Sequence, residues 1–134
     1  MFRFKQAKNY YCGPACLRIV EYVLGRKPRS QKYWAEIAGT TYQGGTGIVG
    51  LKRALKHMGV KTERVVGKQE FLDLEGIWIV WDEVRDHWMV LHRVINQGWQ
   101  QTLYDPLEAK PLPSHDVEKN YMNSRNSYAL RVIP

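Results

Sequence analysis

Four residues, Gln6, Cys12, His87 and Asp105, are of the types that acyl transfer to a thiol requires, and they stand in an order such chemistry can use. A sulfur nucleophile needs a thiol that can ionise, a base oriented by a third group, and donors aimed at the oxyanion. Cys12 precedes Gly13-Pro14 and an apolar-periodic stretch, which places it at the N-terminal edge of a helix. There the positive end of the helix dipole favours thiolate over thiol, and Gly13 lets a substrate backbone come close. His87 opens the most apolar strand-like run, just after the polar stretch 82–86. Asp105 closes the next such run ahead of Pro106, where a carboxylate can accept from an imidazole and fix its tautomer. Gln6, upstream of the thiol, offers a side-chain amide to the oxyanion.

Each of these residues also has an ordinary reading. Cysteine is common in buried cores, aspartate before proline is a frequent turn residue, and strand-end histidines and surface glutamines are unremarked. Alternation along the strand puts His87, Met89 and Leu91 on one face and Trp88, Val90 and His92 on the other, so His87 and His92 cannot both face Cys12. His57, near the end of a basic helix, and His115, in a Pro-rich stretch, read as solvated. Cys16, one helical turn after Cys12, reads as a small buried hydrophobe. A disulfide between the two would close almost no loop. Two cysteines on one helix, with no CxxC and no His pair at ligand spacing, make no tetrahedral set, so neither a metal nor another cofactor is expected.

The elements that must position these residues are legible in the periodicity. Leu17, Val20, Val23 and Leu24 recur along residues 13–24 with Pro14 in the first turn and Gly25 as a stop, which predicts a helix. Residues 30–38 read as a short helix capped by Ser30, with Tyr33, Trp34 and Ile37 as its apolar side. After a Gly-Thr-rich loop at 39–47, Ile48, Leu51, Leu55 and Met58 predict a third helix ended by Gly59. The period then changes to two. Strands are predicted at 60–66, 76–81, 87–94, 101–104 and 127–133, with a short helix at 68–74 and a turn at 96–98. Helices first and an antiparallel sheet second is an α+β layout.

At 134 residues, a single domain over 1–134 is expected. The net charge of +7 arises from dispersed lysines and arginines rather than a basic run, which suggests a generic basic surface and no nucleic-acid partner. The N-terminus lacks the apolar core of a signal peptide, and no apolar run approaches membrane-spanning length. A soluble chain, cytoplasmic as synthesised, is the expectation, with delivery outside the cell left open. Nothing in the sequence speaks to oligomeric state.

Taken together, Gln6, Cys12-Gly13-Pro14-Ala15-Cys16-Leu17, Asp86-His87-Trp88-Met89-Val90-Leu91 and Tyr104-Asp105-Pro106 resemble the double-glycine leader peptidases. Those enzymes process bacteriocin and related peptides and often form the N-terminal domain of peptide-exporting transporters. The glutamine stands six positions before the cysteine, as in that family, and residues 44–55 look like its segment between nucleophile and base. The resemblance implies a papain-like fold, with the cysteine on a helical layer and the histidine and aspartate on an antiparallel sheet. It implies Cys12 as nucleophile, His87 as general base and acid, Asp105 as orienter and Gln6 as oxyanion donor, acting on a peptide or protein. Cleavage after Gly-Gly in a leader peptide is the family's specificity. The same residues would also serve an acyl-transferase or a deamidase, and an inactive peptide-binding module is the non-enzyme alternative.

Overall fold

A computed structural model of the chain describes residues 5–65, 75–82, 86–95, 99–108, 110–112 and 126–134. The helix expected at 68–74, the turn at 96–98 and His115 lie outside the described residues.

The first helix, α1 (Cys12–Val23), begins at the cysteine itself, with Pro14 in its first turn, where the missing N–H removes no helical bond. Gly25 follows at φ 77°, a left-handed conformation open to glycine at little cost. In α2 (Gln31–Ala38), Ser30 caps the start by accepting from the Tyr33 N–H at 3.1 Å, and Gly39 closes the end. Gly59 ends α3 (Ile48–Met58) in the same way. Helices α2 and α3 approach so closely at Gly50 that a Cβ there would lie 2.0 Å from the Ala38 carbonyl oxygen. Glu21 of α1 is buried, and its carboxylate accepts from the Trp34 indole and from the Arg29 backbone and guanidinium, so the charge is paired. No helix among the described residues is long and apolar enough to cross a membrane.

The strands are β1 (Lys61–Val65), β2 (Gly76–Asp82), β3 (His87–Ile95), β4 (Trp99–Tyr104) and β5 (Asn126–Ile133). They form one antiparallel sheet in the order β1-β5-β2-β3-β4, so the last strand inserts between the first two. Alternation divides the sheet as the sequence pattern requires. Ile77, Ile79, Trp88, Val90, Leu130 and Val132 join Cys16, Leu17, Val20, Leu51 and Leu55 in the core between sheet and helices. Trp78, Val80, Met89, Leu91 and Leu103 form a second buried cluster on the sheet's other side. Along β2 and β3 the register pairs Ile79 with Val90, Trp81 with Trp88 and Asp82 with His87, which sets His87 at the end of the ladder.

Candidate active site

Three element ends converge: the start of α1, the start of β3 and the end of β4. Cys12 is buried there, and its sulfur is a hydrogen-bond partner of the Trp88, Gly13 and Cys12 backbone N–H groups. Burial pushes the thiol above its ordinary value, these N–H groups pull it down, and the charge of Asp86 adds to the upward push. The net direction is upward, so the lowered value suggested by a helix N-terminus is corrected: loss of water outweighs the donors.

His87 and Asp105 lie 2.8 Å apart through Nε2 and Oδ1, with side chains only 6% and 4% exposed. The same carboxylate oxygen accepts the Leu107 N–H at 3.0 Å, and the Asp105 carbonyl accepts from Glu108, so a turn after β4 holds the group rigidly. The charge of Asp105 also reaches the fully buried Cys16 thiol, which, with desolvation as the larger cause, is raised well above its ordinary value. The histidine and aspartate therefore stand alongside the first turns of α1. Alternation along β3 sends Trp88 and Val90 to the helical side, so His87 reaches the site by its place at the strand's end rather than by the parity of its face. His92, about 17 Å along the same strand by its rise, is half-buried and lowered by desolvation.

Gln6 is tied to the corner that carries Asp105, its backbone N–H donating to the Pro106 carbonyl at 2.7 Å. Gln31, the first residue of α2, clamps both sides of Gln6: its Oε1 accepts from Ala7 N–H at 2.8 Å and its Nε2 donates to Lys5 O at 3.1 Å. The Gln6 amide donates to the Lys8 carbonyl, which also accepts from Tyr11 at the entry to α1. The four candidate residues are thus brought to one region, although nothing in the sequence pattern pointed to Gln31.

Thr46 completes the surroundings. Its Oγ1 lies 2.8 Å from that of Thr40, its carbonyl accepts from the Trp88 indole at 2.8 Å, and its side chain fills the space where a Gly13 Cβ would sit, 2.3 Å from Oγ1. Gly13 is thus needed to admit Thr46, a different reason from access for substrate. The only signal for Thr46 in the sequence was its place in a Gly-Thr-rich loop.

A helix bearing a thiol at its start, packed on an antiparallel sheet that carries an imidazole–carboxylate pair, is the arrangement of a papain-like cysteine peptidase. The chain belongs to the peptidase C39 family, whose sequence model matches residues 3–124, and it is a cysteine peptidase. Its fold is similar to that of the peptidase domain of Streptococcus ComA, a bifunctional ABC transporter of a quorum-sensing pathway (TM-score 0.74, 23% identity, 98% of this chain and 97% of that one). It is also similar to a double-glycine motif protease from an AMS/PCAT transporter solved with its leader peptide (TM-score 0.73, 19% identity, 97% and 89%). The peptidase domain of Streptococcus mutans ComA gives a TM-score of 0.60 at 20% identity over 97% of each chain. No curated protein matches the sequence. The resemblance read from the motifs and the α+β papain-like layout are both borne out.

Proposed function

We propose that the chain cleaves a leader peptide after a double glycine, with Cys12, His87, Asp105 and Gln6 in the roles the motifs imply. The observation that carries this reading is the His87–Asp105 pair at 2.8 Å beside a thiol that the backbone N–H of the very next residue, Trp88, favours as thiolate. With Nε2 engaged by the carboxylate, Nδ1 is the nitrogen that takes the Cys12 proton. Because burial favours the neutral thiol, proton transfer accompanies attack on the carbonyl of the second glycine. The Cys12 N–H and the second amide hydrogen of Gln6 hold the oxyanion. His87 then returns the proton to the leaving amine, and water, deprotonated by the same imidazole, releases the thioester as a free acid.

Support for a leader substrate comes from likeness to a protease solved with one. Support for a small residue at the cut comes from the crowding at the start of α1, where Thr46, its carbonyl accepting from the Trp88 indole, packs onto Gly13, the residue after Cys12. Incubation with a synthetic peptide carrying Gly-Gly between a leader and a short cargo should give two products whose masses place the cut after the second glycine. Replacing Gly-Gly by Ala-Ala should suppress cutting. Cys12→Ala should lower turnover by roughly 10³-fold or more with an unchanged circular dichroism spectrum. Retained turnover in that variant overturns the mechanism, and cutting elsewhere overturns the specificity.

A further inference from the structure

The β2–β3 connection places a charge where the reaction just described has no use for one. Asp86 immediately precedes His87 and is exposed, and among the described residues it is the non-glycine residue with positive φ, 57°. Its N–H donates to the Asp82 carbonyl at 2.7 Å, which ties it to the end of β2. Glycine or asparagine would satisfy the same backbone at no greater cost, so the turn does not explain the carboxylate. Asp105 and Glu21, by contrast, are explained by the partners they hold. No described residue forms a hydrogen bond or ion pair with the Asp86 carboxylate. Yet its field falls on the Cys12 thiol and opposes ionisation of the group that must attack.

A carboxylate that no described residue pairs, set next to His87 and adding, as the smallest of the influences, to the upward push on the thiol, is a local conflict, and such conflicts concentrate where a ligand resolves them. The charge distribution points the same way. Residues 62–134 carry eleven acidic and eight basic side chains, whereas residues 1–61 carry two acidic and twelve basic ones. Acidic side chains are thus concentrated in the later part of a chain whose net charge is +7, the part that holds Asp86.

We infer that Asp86 is a specificity-determining residue that binds a cationic group of the peptide substrate, a lysine or arginine side chain or a free α-amino group, within about two residues of the scissile bond. The cation pairs with the carboxylate as the peptide seats, and the field that opposed the thiolate is cancelled in the complex. Selectivity and activation are then one event, and a peptide with an acidic residue in that position meets repulsion instead. This inference rests on the double-glycine reading for its natural substrate, but it can be tested apart from it.

Two readouts separate the cases. In the first, matched Gly-Gly peptides with Lys, Gln or Glu following the scissile bond are cleaved by the wild type and by the Asp86→Asn and Asp86→Gly variants; glycine suits the left-handed backbone, so a folding defect in one variant does not leave the question open. In the second, Cys12 is modified by methanethiosulfonates carrying either a trimethylammonium or a sulfonate group, with the site of modification read by mass. The wild type should prefer Lys over Glu, and the cationic over the anionic reagent, by roughly tenfold at low salt, and the preference should shrink as salt is added. In both variants the preference should collapse while the rate with the Gln peptide rises, because the like charge beside the thiol is gone. A preference that survives in both variants overturns the inference, as does a uniform fall in all rates, which would make Asp86 merely a turn residue. Should no Gly-Gly peptide be cleaved, the double-glycine reading fails, and the reagent ratio still decides the role of Asp86.

Discussion

Cys12 sits under two opposed influences whose balance the residue type alone does not fix. Three backbone N–H groups favour the thiolate, while burial and Asp86 favour the thiol, and burial is the largest of these. A papain-like site is often pictured as a preformed ion pair, but here the free protein should hold a neutral thiol at neutral pH. Alkylation of Cys12 by iodoacetamide, followed against pH in the absence of substrate, should therefore rise with a midpoint above that of an exposed cysteine, about 8.5. A midpoint in the acidic range would instead mean that the imidazole already takes the proton in the resting site. The order of Gln6, Cys12, His87 and Asp105 was legible in the sequence because residue types and element boundaries are local properties. The sign of the thiol shift was not, because it depends on how much protein covers the sulfur, and that is decided by elements far away in the chain.

The elements themselves were read closely where their ends carry punctuation. Ser30, Gly39 and Gly59 act at the helix ends where the pattern placed them, and α3 spans the residues between Ile48 and Met58 as its apolar spacing required. Strands were placed within a residue or two, since alternation marks the interior of a strand better than its end. The insertion of β5 between β1 and β2 could not be read, because pairing of strands some sixty residues apart leaves no local trace. The same holds for the contact of Gln31 with residues 5 and 7, which makes the start of α2 a brace for the segment that carries Gln6. Gln31→Ala should remove that brace without touching α1 or the sheet. On the proposed mechanism, kcat for the Gly-Gly peptide should fall roughly tenfold, the equivalent of one well-placed hydrogen bond, with KM little changed and helix content intact. An unchanged kcat would mean that the bond from Gln6 N–H to Pro106 holds the glutamine unaided.

At the scale of the whole molecule, the core joins helices and sheet through one continuous cluster, and both thiols lie inside it. The site is therefore not an appendage of the fold: the residues that bury Cys12 and Cys16 are those that hold the two layers together. Unfolding must expose both sulfurs to water. Their folded-state values are raised, Cys16 more than Cys12, chiefly by desolvation. The unfolded chain then releases its thiol protons first as pH rises. Stability is accordingly intact below the unfolded thiol value of about 8.5 and is lost progressively above it, up to the folded-state values. The limiting slope is about 1.4 kcal/mol per pH unit for each thiol that remains protonated only in the folded state. Lysines and tyrosines also titrate in this range, so the useful quantity is a difference between variants. Cys16→Ala should be less stable at pH 7 by roughly 1–3 kcal/mol, from the cavity it leaves in the core. Between pH 8 and pH 10, however, its urea midpoint should decline less steeply than that of the wild type, because one of the two linked protons is gone. Parallel declines would show that the buried thiol of Cys16 does not govern alkaline unfolding.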